Sequence, residues 1–500
     1  MYVKIFIGFF LLQNVLSFTN ILRLNNPKLN KYNNKNSLSM IKMIKEPTLN
    51  NFENFDWKKN WYPIALEEYT DKKKPFKFTL LGENLVIWWD NINNKWCSTD
   101  NKCSHRLAPL SEGRINTKGN IECPYHGWCF NSTGNCVKIP HRKHNKIDSK
   151  FNIKSLHTET KQGIIWVWPE KYTNNLPNTT LIPISPLIKD KTVDFSLDVP
   201  YDYSLLIENV MDFSHVPYTH HNNQGNRYTA KSFYKYKILE NINSKGFKLK
   251  ILEGISGNNT VFKAPCYTHT DFKFVIFKII NLFVVIYAIP KSPGYSRLII
   301  RLDSSSPNKF LNFICKKIQF LKPTFLRHMA RNEVFEEDTP ILYYQEKELL
   351  LKNKNYYNYN NTLNDYIIAS GADTPSVLFR KWLNKVGPIP WNNNKNKKLF
   401  NENKNDLFNR EKYHFEHCTA CQKAYKKLQL IKKITVFVKP AIFLILWPFL
   451  YYYYPNNSYM NKLITIPILI LTSIIWYICN ELQIKMKVGK YPPRRNNIKN

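Results

Sequence analysis

Two short clusters of cysteine and histidine lie close together in the stretch CSHRLAPLSEGRINTKGNIECPYHGW. The first cluster supplies Cys103 and His105, the second supplies Cys123 and His126, and seventeen residues separate His105 from Cys123. Thiolates and imidazoles are ligands of zinc and of iron–sulfur clusters. The residue types and their spacing therefore indicate a metal centre, and the question is which metal it holds.

The distribution of the ligands favours iron over zinc. Structural zinc with two cysteines and two histidines usually takes both cysteines from one cluster and both histidines from another. Here each cluster contributes one of each, which suits two inequivalent irons, one held by thiolates and the other by imidazoles. That ligand set defines a Rieske 2Fe–2S centre, whose reduction potential is raised because neutral imidazole replaces thiolate. Just before it, LVIWWDNINNKW predicts two strands around a turn, as a small β-sandwich needs.

A second group of possible metal ligands lies in the sequence LLIENVMDFSHVPYTHH, as Asp212, His215 and His220. Two histidines and a carboxylate can bind one face of a non-haem Fe(II) and leave positions open for dioxygen and substrate. Asp212 and His215 are three residues apart, which predicts that they share one side of a helix. His220 lies five residues after His215, so the helix should bend or end there, and Pro217 supplies a reason. His221 is the alternative to His220.

Length and composition restrict the class of protein. A chain of 500 residues predicts two or three folded units. The net charge is +35, but lysine and asparagine are spread along the whole chain, and no nucleic-acid-binding module is recognisable. Nucleic acid is therefore not an expected partner. Ten cysteines are too few for a disulfide scaffold in a chain of this length.

Both ends of the chain have features of a protein targeted to a membrane. Residues 1–17 read as a signal peptide, and residues 18–45 lack Asp and Glu, as transit peptides do. Such a two-part leader favours a plastid, with simple secretion as the alternative. Near the other end, two apolar stretches within residues 434–480 are long enough to span a bilayer as a helical hairpin, joined by Pro455–Lys462.

The charges that flank the hairpin predict its orientation. Five lysines precede it, and five basic residues follow it: Lys423, Lys426, Lys427, Lys432 and Lys433, then Lys485, Lys487, Lys490, Arg494 and Arg495. The linker carries only Lys462. The positive-inside rule then puts the body of the protein on the stromal face. The alternatives are a hairpin buried in a soluble domain and a pair of helices lying in the membrane interface.

The Asp-x-x-His-x4-His segment resembles the catalytic domain of Rieske non-haem iron oxygenases. The resemblance implies that His215 and His220 bind the iron and that Asn209 shapes the site. It also implies that Asp212 links an iron-ligand histidine to a Rieske histidine of the neighbouring subunit in a head-to-tail homotrimer. The third ligand should be a distant carboxylate, and among the acidic residues of HMARNEVFEEDTPILYYQE, which resembles the family's carboxylate helix, we select Asp338. The other candidates there are Glu333, Glu336 and Glu337.

Four further segments point to one branch of these oxygenases: GNCVKIPH, QGIIWVWPE, FRKWL and EHCTACQKA. Together they resemble the plastid pheophorbide a oxygenase family, which includes Tic55 and protochlorophyllide-dependent oxygenases. The resemblance implies a ferredoxin-like electron donor, O2 and a chlorophyll-derived tetrapyrrole as substrate. Opening of pheophorbide a is the leading reaction, and oxidation of a ring methyl on a chlorophyllide or protochlorophyllide is the second. A redox-sensing import component is the alternative of a different class.

Within EHCTACQKA, Cys418 and Cys421 are one helical turn apart, so a dithiol switch is feasible. In the family this element is taken to respond to thioredoxin. A zinc site with His414 and His417, or two cysteines without a role, are the alternatives.

The expected fold is α+β with three folded parts. They are a Rieske β-sandwich at 55–170, a catalytic domain with a helix-flanked antiparallel sheet at 190–400, and a transmembrane helical hairpin at 434–480, preceded by a redox segment at 410–425.

Overall fold

The computed structural model describes residues 55–490 apart from short internal gaps. The gaps are residues 143–146, 187, 189–191, 232–233, 254–256, 275–279, 306–307, 311, 314–316, 318–320, 353–362, 364, 389–390, 392–399, 401–402 and 454–457. The predicted signal peptide and transit peptide lie outside the described residues. The described chain divides into two compact units, the first covering residues up to 319 and 337–402, and the second Phe320–Glu336 and Asn403–Tyr491.

The first unit begins with two antiparallel sheets. Their strands are β1 Tyr62–Leu66, β2 Phe76–Leu80, β3 Glu83–Asp90, β4 Lys95–Asp100, β5 Arg114–Ile115, β6 Ile121–Glu122, β7 Cys129–Phe130, β8 Cys136–Lys138, β9 Ser155–Lys161 and β10 Ile164–Trp168. The larger sheet has the order β1-β10-β9-β4-β3-β2, and the smaller has the order β5-β6-β7-β8. The predicted hairpin is confirmed, because β3 and β4 pair from Leu85–Asp100 to Asp90–Lys95. Trp88 and Trp166 of the larger sheet are fully buried and anchor its core.

The smaller sheet positions the two cysteine–histidine clusters. The first cluster lies in the connection between β4 and β5, and the second lies between β6 and β7. The core beneath these loops contains Val86, Trp88, Leu110, Ile121 and Phe130, all fully buried. A rigid, apolar base therefore supports both loops.

Among the residues that the structure describes, the rest of the first unit forms an antiparallel sheet of seven strands. The strands are β11 Val193–Val199, β12 Lys235–Asn243, β13 Gly246–Glu253, β14 Gly257–Lys263, β15 Tyr267–Phe274, β16 Ile280–Ser292 and β17 Tyr295–Ser305, in the order β11-β17-β16-β15-β14-β13-β12. The helices that accompany the sheet are α1 Tyr203–Met211, α2 Val216–Thr219, α3 Thr324–Lys352 and α4 Thr374–Lys385, of which α3 belongs to this unit only from Glu337 onward. This helix-and-sheet part has the expected α+β architecture.

The second unit contains the first part of α3 together with α5 Arg410–Tyr413, α6 Thr419–Ala441, α7 Trp447–Tyr453 and α8 Ser458–Lys487. A π-helical turn, Ile442–Leu446, joins α6 to α7. Helices α6 and α8 run antiparallel, since Lys432 bonds Asn480 and Gln483 bonds the carbonyl of Tyr425. The sequence predicted a linker at Pro455–Lys462. In the structure α8 begins at Ser458, so the stretch from Ser458 to Lys462 is helical.

Two helical stretches of the second unit, Thr419–Tyr453 and Thr465–Lys487, are long and apolar enough to cross a membrane. Only 18% and 17% of the residues in their most apolar windows are buried. Phe437, Leu444 and Tyr452 are 73%, 76% and 80% exposed. These helices therefore present apolar side chains outward instead of packing them into a core.

Candidate metal centres

The two cysteine–histidine loops close by the same backbone hydrogen bonds. The amide of Cys103 donates to the carbonyl of Ala108 at 2.9 Å, and the amide of Cys123 donates to the carbonyl of Trp128 at 2.8 Å. In both loops the residue four positions after the cysteine donates its amide back to the cysteine carbonyl. The two loops are thus local repeats of one turn, each presenting a thiol.

The residues at that fourth position, Leu107 and Gly127, have positive φ angles of +59° and +68°. Glycine adopts this conformation at no steric cost, whereas a leucine side chain is strained there. The second loop therefore has the better-suited residue for its turn, and the first loop tolerates some strain.

The histidines of the loops have buried nitrogen atoms that no described protein group satisfies. The Nδ1 atoms of His105 and His126 are buried, and no hydrogen-bond partner for them lies among the described residues. The two rings are 4.7 Å apart between centroids, and the ring of His105 stacks on Trp128 at 4.8 Å. Buried polar atoms are rarely left unsatisfied, so these nitrogens suit a metal. With the buried thiols of Cys103 and Cys123, they fit a Rieske 2Fe–2S cluster.

The backbone around the second metal site differs from the sequence prediction. The expectation that Asp212 and His215 share one side of a helix is wrong, because α1 ends just before Asp212 and α2 begins just after His215. The Asp212 carboxylate caps this break by accepting hydrogen bonds from the Ser214 amide at 2.7 Å and hydroxyl at 2.6 Å. Pro217 lies in the first turn of α2, where proline is tolerated, so it does not end a helix.

Three predicted iron ligands converge despite this difference. The ligand atoms of His215, His220 and Asp338 all lie within 4.8 Å of one another. The Asp338 carboxylate approaches both imidazoles, with its Oδ1 3.7 Å from His215 Nε2 and its Oδ2 3.4 Å from His220 Nε2. His220 and Asp338 are buried, whereas the His215 side chain is 19% exposed. Two imidazoles and one carboxylate in this arrangement fit a non-haem Fe(II) ion.

Glu337, which the sequence offered only as an alternative ligand, contacts His220 at Nδ1, the ring nitrogen that does not face Asp338. Its Oε2 is 2.8 Å from His220 Nδ1, and its Oε1 accepts a hydrogen bond from Asn223 Nδ2 at 3.2 Å. A carboxylate in this position fixes the tautomer of a metal-binding histidine and raises its basicity, leaving Nε2 for the metal. The third acidic candidate, Glu336, instead forms a bidentate pair with Arg410 at 2.5 and 2.7 Å.

The electrostatics of the site favour a cation. Burial by itself lowers the pKa of His220, but the Asp338 and Glu337 carboxylates outweigh burial and raise that pKa to about 9. Burial also acts to raise the pKa of Asp338, yet the neighbouring His220 and His215 hold it below its usual range. Carboxylates that keep a buried imidazole charged create a negative potential, in which a divalent metal can replace the protons.

Of the other residues predicted for this site, Asn209 and Asp212 lie beside His215, whereas His221 lies outside the ligand group. The Nδ2 of Asn209 is 3.5 Å from His215 Nε2. The Oδ2 of Asp212 is 3.7 Å from His215 Nδ1, and its side chain is 30% exposed. The alternative ligand His221 is engaged elsewhere, because its Nδ1 accepts a hydrogen bond from the Arg227 amide at 3.2 Å. The geometry therefore favours His220 over His221 as the ligand.

A buried ion pair supports the helix that leads into the site. Arg380, of the FRKWL segment on α4, donates two hydrogen bonds of 2.6 Å to Glu208 on α1. Arg380 is fully buried, and the Tyr366 hydroxyl also donates to Glu208 at 3.3 Å. Bidentate arginine–carboxylate pairs constrain geometry strongly. This pair holds the end of α1, which contains Asn209 and leads directly into Asp212, in one orientation.

The CxxC segment lies in the second unit, where it has two histidine neighbours. The Sγ of Cys418 is 3.4 Å from His328 Nδ1, and the Sγ of Cys421 is 3.3 Å from His414 Nε2. Hydrogen bonds from Cys421 and then from His328 and His414 hold the pKa of the Cys418 thiol well below its usual range, although burial opposes them. Sequence motifs did not identify His328 as a neighbour of the cysteines, because it lies 90 residues before Cys418.

Two parts of the chain match known protein families. Residues 60–157 match the Rieske [2Fe-2S] domain, and residues 262–355 match the pheophorbide a oxygenase family. The first match contains the four residues predicted as Rieske ligands, and the second contains Asp338, the carboxylate predicted to bind the mononuclear iron. A Rieske 2Fe–2S domain is therefore present.

Similarity to known plant proteins extends over most of the chain. Flavonoid 8-hydroxylase 2 of Ocimum basilicum is 32% identical over 416 residues, covering 76% of each chain. Pheophorbide a oxygenase of Arabidopsis thaliana is 31% identical over 416 residues, covering 76% of this chain and 75% of the relative. Protochlorophyllide-dependent translocon component 52 of Arabidopsis thaliana is 30% identical over 442 residues, covering 76% of each chain. The chain belongs to the pheophorbide a oxygenase family of Rieske non-haem iron oxygenases.

Proposed function

We propose that this protein is a plastid membrane monooxygenase that inserts one oxygen atom of O2 into a chlorophyll-derived tetrapyrrole. Two electrons from a ferredoxin-like donor and two protons convert the other oxygen atom to water. The observation that carries the proposal is the convergence of His215, His220 and Asp338 in the same chain as a Rieske domain. An electron carrier would need the Rieske ligands alone.

The mononuclear iron would be held by His215, His220 and Asp338. A ferrous ion with three protein ligands on one face supplies open positions for dioxygen and substrate. Glu337 would orient His220 through its hydrogen bond to Nδ1. Asn209, 3.5 Å from His215 Nε2, would restrict the position of that ring. The protein thus supplies ligand orientation, and burial of His220 and Asp338 restricts water on one side of the site.

Electron transfer between the two centres would use Asp212. Its carboxylate lies 3.7 Å from His215 Nδ1, and almost a third of the side chain is exposed. A partly exposed carboxylate in this position can accept a hydrogen bond from a Rieske-ligand histidine of a neighbouring subunit. The family resemblance implies that this contact forms in a head-to-tail homotrimer, in which each Rieske domain would serve the iron site of the next subunit.

The proposed location is the stromal face of a plastid membrane. The relatives described above include proteins named as chloroplastic. The outward apolar residues of α6, α7 and α8 suit lipid contact, and the basic residues that flank the hairpin favour its ends on the stromal side. An anchor of this kind would keep the protein at the membrane into which an apolar tetrapyrrole partitions.

Among tetrapyrroles, opening of pheophorbide a at a meso carbon is the leading reaction, supported by the family match and by the pheophorbide a oxygenase relative. Oxidation of a ring methyl on a chlorophyllide or protochlorophyllide is the second candidate. The relative named as a flavonoid hydroxylase makes a flavonoid the necessary competitor in any substrate test.

The function can be tested with the purified full chain, reduced ferredoxin and 18O2. The assay offers pheophorbide a, chlorophyllide a, protochlorophyllide and a flavone in parallel, and mass spectrometry detects the products. We expect one labelled oxygen atom in a tetrapyrrole product and none in the Asp338→Ala variant. Label in the flavone alone would overturn the tetrapyrrole assignment, and no label in any product would overturn the monooxygenase assignment.

A redox-sensing component of protein import is the second candidate, favoured by the relative named protochlorophyllide-dependent translocon component 52. In that role the predicted thioredoxin-responsive pair Cys418 and Cys421 would be the sensor. The labelled-oxygen assay separates the two functions, because a pure sensor forms no oxygenated product.

A further inference from the structure

Two cysteines and two histidines form a compact buried group in the second unit. Its members are His328, His414, Cys418 and Cys421, whose ligand atoms all lie within 4.8 Å of one another. His328 lies on α3, His414 directly follows α5, and the cysteines lie at the start of α6. Three separate segments of this unit therefore bring potential metal ligands to one point.

The distances within the group suit one tetrahedral metal ion. Zinc bonds of about 2.3 Å to sulfur and about 2.0–2.1 Å to nitrogen separate neighbouring sulfur and nitrogen ligands by roughly 3.6 Å. The sulfur–nitrogen distances are 3.3 Å for Cys421 and His414, 3.4 Å for Cys418 and His328, and 3.5 Å for Cys421 and His328. A 2Fe–2S cluster would hold the thiolates and imidazoles on different irons, which requires wider separations.

Burial argues against a freely exchanging dithiol. Cys418 and Cys421 are 1% and 3% exposed, and His328 and His414 are 1% and 2% exposed. Cysteines that exchange with a redox protein are usually partly exposed. A dithiol switch also has no need of two imidazoles directed at its sulfur atoms, whereas zinc takes this ligand set in structural sites.

We propose that His328, His414, Cys418 and Cys421 bind one structural zinc ion that fastens the start of α6 to the neighbouring segments of its unit. The four protein ligands complete a tetrahedron, so the site leaves no position for substrate and is structural instead of catalytic. His417, which the sequence offered with His414 only as part of an alternative zinc site, is exposed and does not belong to the group. The inference is independent of the proposed oxygenase reaction.

The first test is metal analysis of the purified full chain and its variants. We expect about one zinc and about three iron atoms per chain in the wild type, given one structural site, one 2Fe–2S cluster and one mononuclear iron. His328→Ala and the double variant Cys418→Ser/Cys421→Ser should lose the zinc and keep the Rieske EPR signal. The matched control His417→Ala should keep both.

Zinc retained by His328→Ala, or lost equally by His417→Ala, would overturn the ligand assignment. A fourth iron in place of zinc would overturn the choice of metal. A Cys418–Cys421 disulfide in the purified wild type, detected by mass spectrometry, would overturn the metal site itself.

The second test does not depend on whether the variants of the proposed zinc ligands fold. X-ray absorption at the zinc edge of the wild type should give two sulfur ligands at about 2.3 Å and two nitrogen ligands at about 2.0–2.1 Å. The same spectrum should persist in Cys103→Ser, which excludes zinc misplaced in the Rieske loops. A shell without sulfur, or a sulfur signal that disappears in Cys103→Ser, would refute the proposal.

Discussion

The Rieske loops and the mononuclear site are assembled in opposite ways. All four proposed Rieske ligands lie within the stretch from Cys103 to His126, on two turns with the same backbone hydrogen bonds. The mononuclear site joins a short segment around His215 and His220 to α3, and 117 residues separate His220 from Glu337. One site is determined by local sequence, whereas the other depends on how a sheet and several helices pack.

This difference implies different sensitivities. A local loop retains its geometry when distant parts of the fold change, because its turn is closed by its own backbone. A site built from distant elements depends on every contact that orders them, such as the buried pair of Arg380 and Glu208. Substitutions near the mononuclear site should therefore leave the Rieske spectrum unchanged.

The largest effect should follow from removing one ligand at each centre. Asp338→Ala should abolish turnover and reduce the iron content from about three to about two atoms per chain, with an unchanged Rieske EPR signal. Cys103→Ser should abolish that signal and turnover while about one iron atom remains. Iron analysis with EPR measures both. Loss of the Rieske signal in Asp338→Ala would show that the two centres do not load independently.

A smaller loss should follow from Asp212→Asn, which keeps the shape of the side chain but removes its charge. The backbone turn can persist, because the amide oxygen still accepts from Ser214. Both metals should bind, whereas turnover should fall by about 10–100-fold, as for other residues that act on a metal site from outside the ligand set. Stopped-flow reduction of the Rieske centre should stay normal, and its reoxidation in the presence of substrate should slow. Slowed reduction by the donor would contradict a role between the centres.

The next prediction concerns Glu337, which contacts Nδ1 of His220 and is not itself one of the three proposed iron ligands. Glu337→Gln should weaken iron affinity by about 10–100-fold, because the amide no longer raises the basicity of the imidazole. Glu348→Gln, an exposed carboxylate change on the same helix, is the matched control. Iron titration of the chelator-treated protein measures the affinity. Equal affinities of the two variants would remove Glu337 from the site.

The same contrast explains how much could be read from the sequence. The Rieske ligands and the adjoining hairpin follow from residue types and short spacings, and the structure contains that hairpin. The Asp-x-x-His-x4-His spacing identified the right segment but predicted a helix that contains both Asp212 and His215, whereas the structure has a break between them. The Asp212 side chain accepts a hydrogen bond from the Ser214 amide, and this local bond competes with the helical hydrogen bonds and ends the helix there. Residue spacing alone does not predict such a cap.

The roles of distant residues could not be predicted in this way. Glu336, Glu337 and Asp338 are consecutive acidic residues, and only the packing of α3 distinguishes their partners. His328 carries no local signal of its proximity to Cys418. Such roles follow from burial and long-range contacts, whereas short motifs encode local turns.

The smallest expected effect comes from substitutions that compare the two Rieske loops with each other. Gly127→Ala should destabilise the domain by about 1–2 kcal/mol, since its φ is +68° and the added Cβ would lie 3.1 Å from Pro140 Cγ. Leu107→Gly should change stability by less than about 1 kcal/mol, because relief of strain in an exposed leucine is offset by greater freedom of the unfolded chain. Thermal loss of the Rieske absorbance measures both. If Leu107→Gly destabilised the domain as much as Gly127→Ala, the first loop would depend on its leucine side chain. The two turns would then share their backbone hydrogen bonds but not the side-chain contacts that stabilise them.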